Sequence, residues 1–411
     1  MNIGIIGYGK MGSAIFRLLA NKPHDLIVLI RDEEKTRFNE RRFFKRLERS
    51  LKRGTLEKDE FLKKKESLRF THRLEDLASA EIVIEATPEN YEGKVNVFNK
   101  LEEVVDKSAV IVTNTSSIPI QDLVQNLKYR DRFCGLHFFH PVPLIGLVEI
   151  IKWADTPDNL IQYLRDFCKP IGRQAIVVND APGSAINAIL AYYYVEAAYI
   201  LEEGLALPSK IDELAKRFFY IGPCESMDVI GLDFFTEALE RAATRRNSLP
   251  RHPGEDSHHK LSRPETAGTA GNDIPYLFRK LISQNRLGKQ VSGGIYIYQK
   301  ERPVDDTHEF YMNLDRVRTI PDNAHERDEL ISKRLLYSIF NGSMDSLQRA
   351  ISSVEELDLG MKEVLLMKEG PFTMMKAIDE KELIQNFAFL SQNIGKRFKQ
   401  TNFEFLKEMR D

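Results

Sequence analysis

The chain opens with Asn2–Ile6, NIGII, followed at once by GYGKMG and then by the helical run SAIFRLLA. An apolar strand, a glycine turn and a helix in that order leave little freedom for what the first half can become. Gly7 permits the tight turn, Gly9 lets the backbone approach a pyrophosphate, and Gly12 lets the helix pack on its strand. The first amides of that helix then point at the phosphate charge. The expectation is a dinucleotide-binding unit built on a sheet with helices on both faces.

The following elements continue that plan. A second apolar run, Leu26–Ile30, ends at Arg31 and Asp32, where such units read the adenosine ribose. Asp32 on the ribose hydroxyls means NAD, whereas Arg31 turned into that place would admit the 2′-phosphate of NADP; NAD is the expectation. The alternative is that both are exposed turn residues. A polar helical stretch runs to Leu68, and EIVIEA, Glu81–Ala86, is the next strand. Ligands collect beyond the C-terminal ends of such strands, which puts Glu89 and Lys94 in reach of the cofactor. After the helix VNVFNKLEEVV comes the strand AVIVT and the turn Asn114, Thr115, Ser116, Ser117, either a site or a helix cap.

A further strand, RFCGLHFF, delivers His137, and twelve positions later stands Glu149. Pro141 and Pro143 bar a continuous helix or strand between them, so the chain can fold back and set the carboxylate beside the imidazole. A carboxylate there fixes the ring tautomer through one nitrogen and raises the basicity of the other. The bland alternative is a satisfied core histidine.

At 411 residues the chain exceeds one typical core. With 42% hydrophobic and 29% charged residues and a net charge of −2, nothing in the balance calls for nucleic acid. The basic run from Arg41 to Lys65 is interleaved with Glu48, Glu57 and Glu60, the pattern of a solvated helical face. Cys134, Cys168 and Cys224 form an odd set without metal-ligand spacing, which fits a reducing compartment and no metal site. A secretion signal and a bilayer-length apolar run are both missing from the pattern, so a cytoplasmic protein without a membrane partner is expected.

From Asp180 the pattern turns helical, beginning with APGSAINAILAYYYVEAAYILEEG, whose Tyr192–Tyr194 stripe reads as core. Residues 241–273 are rich in Pro, Gly, Ser, His and charge, and His258 and His259 there read as part of a surface loop. Beyond Tyr298 the chain is polar for about thirty residues, the composition of a linker. A second helical block then echoes the first: KIDELAKRFFYIGPCESMDVIG finds a counterpart in VEELDLGMKEVLLMKEGPFTMMKAID, aligning Gly222 and Pro223 with Gly370 and Pro371.

The motifs GYGKMG, IEATPEN, NTSS, GLHFFHPVPLIGLVEI, DAPGSAIN and GPCESMDVIGLD stand in one order over about the first three hundred residues. In that order and spacing the chain resembles the 3-hydroxyacyl-CoA dehydrogenase family. The resemblance implies a Rossmann-type α/β domain over 1–179 followed by two all-α domains: a helical one over 180–298, a linker over 299–328, and a degenerate second helical copy over 329–411, as in longer fused members. It implies NAD-dependent oxidation of an (S)-3-hydroxyacyl-CoA to the 3-oxoacyl-CoA, in β-oxidation or related acyl-CoA metabolism. By the same resemblance His137 is the catalytic base and Glu149 its partner, while Ser116 lies near the substrate oxygen and nicotinamide and Asn187 completes the site. Glu89 and Lys94 match cofactor-side positions. His140 stands where the family usually has a cofactor-side Asn, and Gln290 where it has a cofactor-contacting Lys. In the second copy Lys333 falls where Asn187 stands, so that copy is expected to keep a packing role. It would occupy internally the surface that shorter members use to dimerise, which makes a monomer the expectation. Two other readings share the scaffold: a hydroxy-acid or sugar-acid dehydrogenase, and a non-catalytic nucleotide- or CoA-binding module.

Overall fold

Strand β1 (Asn2–Ile6) is buried over its last four residues, as an apolar run without alternation demands when helices cover both faces of a sheet. The computed structural model describes residues 1–181, 183–248, 274–306, 323–398 and 403. It divides into two compact units, Met1–Ser184 and Ala185–Asp411. In the first, β1 leads into α1 (Lys10–Leu19), β2 (Asp25–Leu29), α2 (Glu33–Lys52), α3 (Lys58–Ser67) and β3 (Leu68–Thr71). Then come β4 (Ile82–Glu85), α4 (Tyr91–Glu102), β5 (Val110–Thr113), α5 (Ile120–Val124) and β6 (Phe133–Phe138). The unit closes with β7 (Leu147–Lys152), α6 (Asp158–Cys168) and β8 (Gln174–Asn179).

All eight strands lie in one sheet, ordered β3-β2-β1-β4-β5-β6-β7-β8. The first six in this order run parallel. Strand order reverses between β1 and β4, which opens the crevice where such sheets bind ligands. The expected Rossmann-type architecture is therefore present. Two features were not foreseen. The polar helical pattern of the sequence extends to Leu68, yet β3 begins there, drawn into pairing with β2. Direction also changes at the far edge, where β7 runs antiparallel to β6 and parallel to β8. The basic helix α2 has the solvated face its charges imply, with Thr36 its one fully buried residue. Phe43 nevertheless pins it to the core, 5.0 Å edge-on to Phe16, which in turn meets Phe70 at 5.2 Å.

The second unit contains α7 (Ala185–Glu202), α8 (Pro208–Ala215), α9 (Pro223–Ile230), α10 (Leu232–Ser248) and α11 (Tyr276–Ser283). A short ribbon of β9 (Ile297–Gln299) and β10 (Arg302–Val304) follows, then α12 (Ala324–Gln348), α13 (Val354–Leu365), α14 (Pro371–Ala377) and α15 (Glu380–Asn393). The stretch expected as linker, 299–328, thus contributes β10 and the start of α12; its middle, like His258 and His259, lies outside the described residues. Both helical blocks belong to the one unit.

The repeat has a physical signature. Asp212 on α8 accepts the amides of Cys224 and Glu225 at 2.8 and 3.0 Å, capping α9 from outside. Asp358 on α13 does the same for Phe372 and Thr373 of α14, at 2.7 and 3.0 Å. Each carboxylate approaches so closely that a side chain at the preceding cap glycine would meet it: a Cβ on Gly222 lies 2.2 Å from Asp212 Cγ, and one on Gly370 lies 2.3 Å from Asp358 Cγ. That is why both copies place Gly before Pro there.

Helices α7 and α12 pair antiparallel. Gly342 on α12 lets the backbones approach at Ile189 and Tyr192, while Arg334 one end along reaches Glu196 at 2.6 Å and also Glu203. Arg397 joins from the C-terminal side, 2.6 Å from Glu196. Arg334 is fully buried, so its charge survives only because two carboxylates face it. Replacing Arg334 by Leu should destabilise the protein by about 3–5 kcal/mol, because it leaves the buried Glu196 and the half-buried Glu203 short of a partner. Arg217→Ala, which breaks a half-exposed pair with Glu329, should cost about 1 kcal/mol or less. Urea denaturation of both variants checks the contrast.

Candidate active site

The glycine turn shows three different requirements. Gly7 has φ +98°, and a Cβ there would sit 2.6 Å from the Ala86 carbonyl oxygen. A Cβ on Gly12 would lie 2.2 Å from the Gly7 carbonyl oxygen, so α1 can rest on the turn only without a side chain. Gly9, the N-cap residue of α1, has nothing within 4 Å of its Cβ position. Two glycines close the turn and the third leaves open space in front of helix amides, the shape a pyrophosphate needs. Arg31 and Asp32 are exposed just after β2. One Asp32 oxygen accepts the Lys35 amide at 2.8 Å and caps α2, so the turn-residue alternative has a definite content, and the carboxylate still sits at the strand end where a ribose is read.

Beyond β4 and β5 the charges are buried. Glu85, the last residue of β4, is fully enclosed. It accepts both contacts from Lys94 Nζ at 2.8 Å, the Thr113 hydroxyl at 2.6 Å, and the amide of Thr87 at 2.6 Å. Lys94 is buried as well and lies 3.5 Å from Glu89 Oε2. Glu89 uses its other oxygen to gather the serine turn: it accepts the amides of Ser116 and Ser117 at 3.1 and 3.0 Å, and the hydroxyls of Thr115 and Ser117. Burial on its own would raise the Glu89 pKa, but Lys94 and these donors together hold it below the ordinary carboxylate value. Capping within the turn falls to Thr115, whose hydroxyl accepts the Ile118 amide at 3.0 Å. Asn114 ties the turn to β6 by accepting the Phe138 amide at 2.9 Å, and Ser116 stands half-buried between these anchors.

His137 and Glu149 face each other directly. The antiparallel register pairs them across β6 and β7, and His137 Nδ1 meets Glu149 Oε2 at 2.9 Å. Glu149 is fully buried and His137 nearly so, with Phe139 packed edge-on to the imidazole at 4.7 Å. An ionised carboxylate can only accept, so the proton sits on Nδ1 and Nε2 keeps its lone pair. His140 lies in the connection between the strands; desolvation of its ring and then the nearby charge of Lys10, from the glycine turn, lower its pKa. In the second unit Asn187 is exposed on α7, and Gln290 is exposed in a short helical turn, Lys289–Val291.

The first unit thus brings together the glycine turn, the Glu89–serine turn and the His137–Glu149 pair at strand ends. The residue that sequence reasoning passed over is Glu85. Its signal was there: a carboxylate in a strand otherwise wholly apolar must be neutralised by something. Among the described residues no three His, Cys, Asp or Glu side chains group as a metal site, and no helix is long and apolar enough to cross a membrane.

Fold and site define an oxidoreductase that uses a nicotinamide dinucleotide. Residues 2–181 match the family described as 3-hydroxyacyl-CoA dehydrogenase, NAD binding domain, and residues 183–298 its C-terminal domain. The chain belongs to the 3-hydroxyacyl-CoA dehydrogenase family, and its cofactor is NAD. It is 29% identical over 306 residues to the mitochondrial hydroxyacyl-coenzyme A dehydrogenase of Sus scrofa, covering 72% of this chain and 91% of that one. It is 30% identical over 300 residues to the 3-hydroxybutyryl-CoA dehydrogenase of Mycobacterium tuberculosis, covering 72% and 98%. The crystal structure of 3-hydroxybutyryl-CoA dehydrogenase from Escherichia coli K12 superposes with a TM-score of 0.80 over 100% of this chain and 98% of that one at 21% identity, a likeness of fold.

The glycine geometry separates stability from binding. Gly12→Ala should lower both thermal stability and NADH affinity, since overpacking against backbone costs about 1–3 kcal/mol. Gly9→Ala should weaken NADH binding with an unfolding transition close to wild type. Calorimetric unfolding together with NADH fluorescence titration measures the two effects.

Proposed function

We propose that the protein oxidises (S)-3-hydroxyacyl-CoA thioesters to 3-oxoacyl-CoA, and reverses the reaction with NADH, as a step of β-oxidation or related acyl-CoA metabolism. The observation that carries this reading is the buried His137–Glu149 pair at the end of β6. NAD, when bound, supplies the hydride acceptor. His137 Nε2 takes the proton from the substrate's 3-hydroxyl, and Glu149, 2.9 Å from Nδ1, stabilises the imidazolium that results. Ser116, held on the turn that Glu89 gathers, donates to the substrate oxygen as it becomes a carbonyl. Asn187 is assigned as a second donor on the family resemblance. The Gly7–Gly12 turn and Asp32 hold the dinucleotide, with Glu89, Lys94 and His140 on the cofactor side and Arg31 beside the ribose end. The relative named a 3-hydroxybutyryl-CoA dehydrogenase favours a short acyl chain. The three buried, free cysteines fit a reducing compartment, and this reading places the protein in the cytoplasm.

The same reading includes a monomer. Leu335, Ile339 and Phe340 of α12 are fully buried within the second unit, where α12 pairs with α7. This intramolecular pairing stands in for the symmetric contact a dimer would require.

Two measurements test these statements. His137→Gln should lower kcat for acetoacetyl-CoA reduction by roughly 100- to 10,000-fold while NADH titration stays near wild type; equal loss of NADH binding would oppose the assignment. Ending the chain near Asp322 should expose the apolar face of α7 and produce dimers or aggregates in light scattering, whereas the intact chain runs as a monomer. A soluble monomer after truncation would show that α12 does not protect that face.

A further inference from the structure

We propose that Glu85 is a positioning residue for the reaction: it fixes Lys94, and through Lys94 the Glu89 carboxylate that holds the Ser116 turn. The inference rests on the dehydrogenase reading of the site and adds to it a residue that touches neither substrate nor cofactor.

The geometry is a chain of contacts with few degrees of freedom. Glu85 is the last residue of β4 and wholly buried. Both its oxygens are 2.8 Å from Lys94 Nζ. One also takes the Thr113 hydroxyl from the end of β5 at 2.6 Å, and the other takes the Thr87 amide at 2.6 Å together with the Thr87 hydroxyl. Lys94 Nζ adds a 3.3 Å bond to the Thr87 carbonyl and stands 3.5 Å from Glu89 Oε2. A long lysine side chain is thereby clamped at its tip. Glu89 is consequently fixed on one oxygen by the ammonium and on the other by the amides of Ser116 and Ser117 and the hydroxyls of Thr115 and Ser117.

Charge explains why a carboxylate is needed at position 85. Lys94 faces two carboxylates, one enclosed and one partly open. The bidentate contact with Glu85 anchors the ammonium at the strand end, and Glu89 is left with one oxygen to spend on the turn. If residue 85 were neutral, Glu89 would be the remaining carboxylate of the pair facing Lys94. The ammonium would draw Glu89 inwards, and the amides of Ser116 and Ser117 would lose the acceptor that sets their position. A displacement of about 1 Å at a reacting group lowers turnover by roughly 100-fold. The contacts of Glu85 to Thr113 of β5 and to Thr87, two residues past β4, also make it the point where two neighbouring strand ends are registered against one another.

The test is acetoacetyl-CoA reduction by the full chain, followed by NADH oxidation, with unfolding monitored in parallel. Glu85→Gln keeps the size and a carbonyl acceptor, and it should lower kcat by roughly 100-fold while KM for acetoacetyl-CoA changes little. In a Ser116→Ala background the same substitution should cost less than about threefold, since residues acting as one unit do not give multiplicative losses. Thr113→Val removes one partner of Glu85 and leaves every charge, so it should lower kcat in the same direction by roughly 3- to 10-fold; it keeps the idea testable if Glu85→Gln fails to fold. A folded Glu85→Gln variant with near wild-type kcat would overturn the role of Glu85 and leave the dehydrogenase reading standing, as would losses that multiply with Ser116→Ala. A wild-type chain inactive on acetoacetyl-CoA, with NADH binding intact, would overturn both.

Discussion

A carboxylate with no access to water must be answered inside the protein, and Glu149 imposes that requirement where β6 meets β7. Its answer is the imidazole of His137, set opposite by the one antiparallel junction between β6 and β7. The pair depends on register. Because side chains alternate between faces along a strand, a slip of one residue would send the histidine to one face and the carboxylate to the other. The apolar residues around them, Leu136 and Phe138 on β6 and Val148 and Ile150 on β7, are all buried and oppose any slip. Hydrophobic packing thus holds a polar contact that would be costly to leave unmade.

The same logic recurs at the end of β4. Glu85 is answered by Lys94 from α4, and that contact sets Glu89 and the serine turn. Two enclosed carboxylates on strands of one sheet therefore fix two features at its strand ends: one the tautomer of His137, the other the place of the hydroxyl-bearing turn. The glycine turn works by the opposite means, through what is missing. Gly7 and Gly12 remove side chains that would strike backbone, and Gly9 leaves space for phosphate.

In the helical unit, duplication has kept the device that orders each copy. Asp212 and Asp358 cap a short helix across a glycine that cannot bear a side chain. What differs is the content of the long helices. Lys333 of α12, aligned with Asn187 of α7 by the sequence repeat, has its ammonium 2.9 Å from Asn386. The next residue, Arg334, is buried against Glu196 and Glu203. An ion cluster inside an otherwise apolar contact gives little net stability, but it penalises any pairing of α7 and α12 in another register.

The amino-acid sequence by itself determined the strand–turn–helix start, the apolar strands that lead to Asp32, to Thr87 and to the Ser116 turn, the placement of His137 and Glu149 in one motif, and the repeat of Gly-Pro with its partner block. These are written in local chemistry: glycines where side chains cannot fit, apolar runs too short for helices, prolines that stop both regular structures. The tertiary structure decided the rest. Strands β3, β7 and β8 owe their identity to the neighbours they pair with. Helix α12 begins inside a polar stretch because its later residues are buried against α7. Lys94, expected beside the cofactor by motif, has its ammonium held by Glu85 because burial there requires an opposite charge. Contacts between residues far apart in the chain carry no local signature; they exist only when packing excludes water and each enclosed polar group has found its partner.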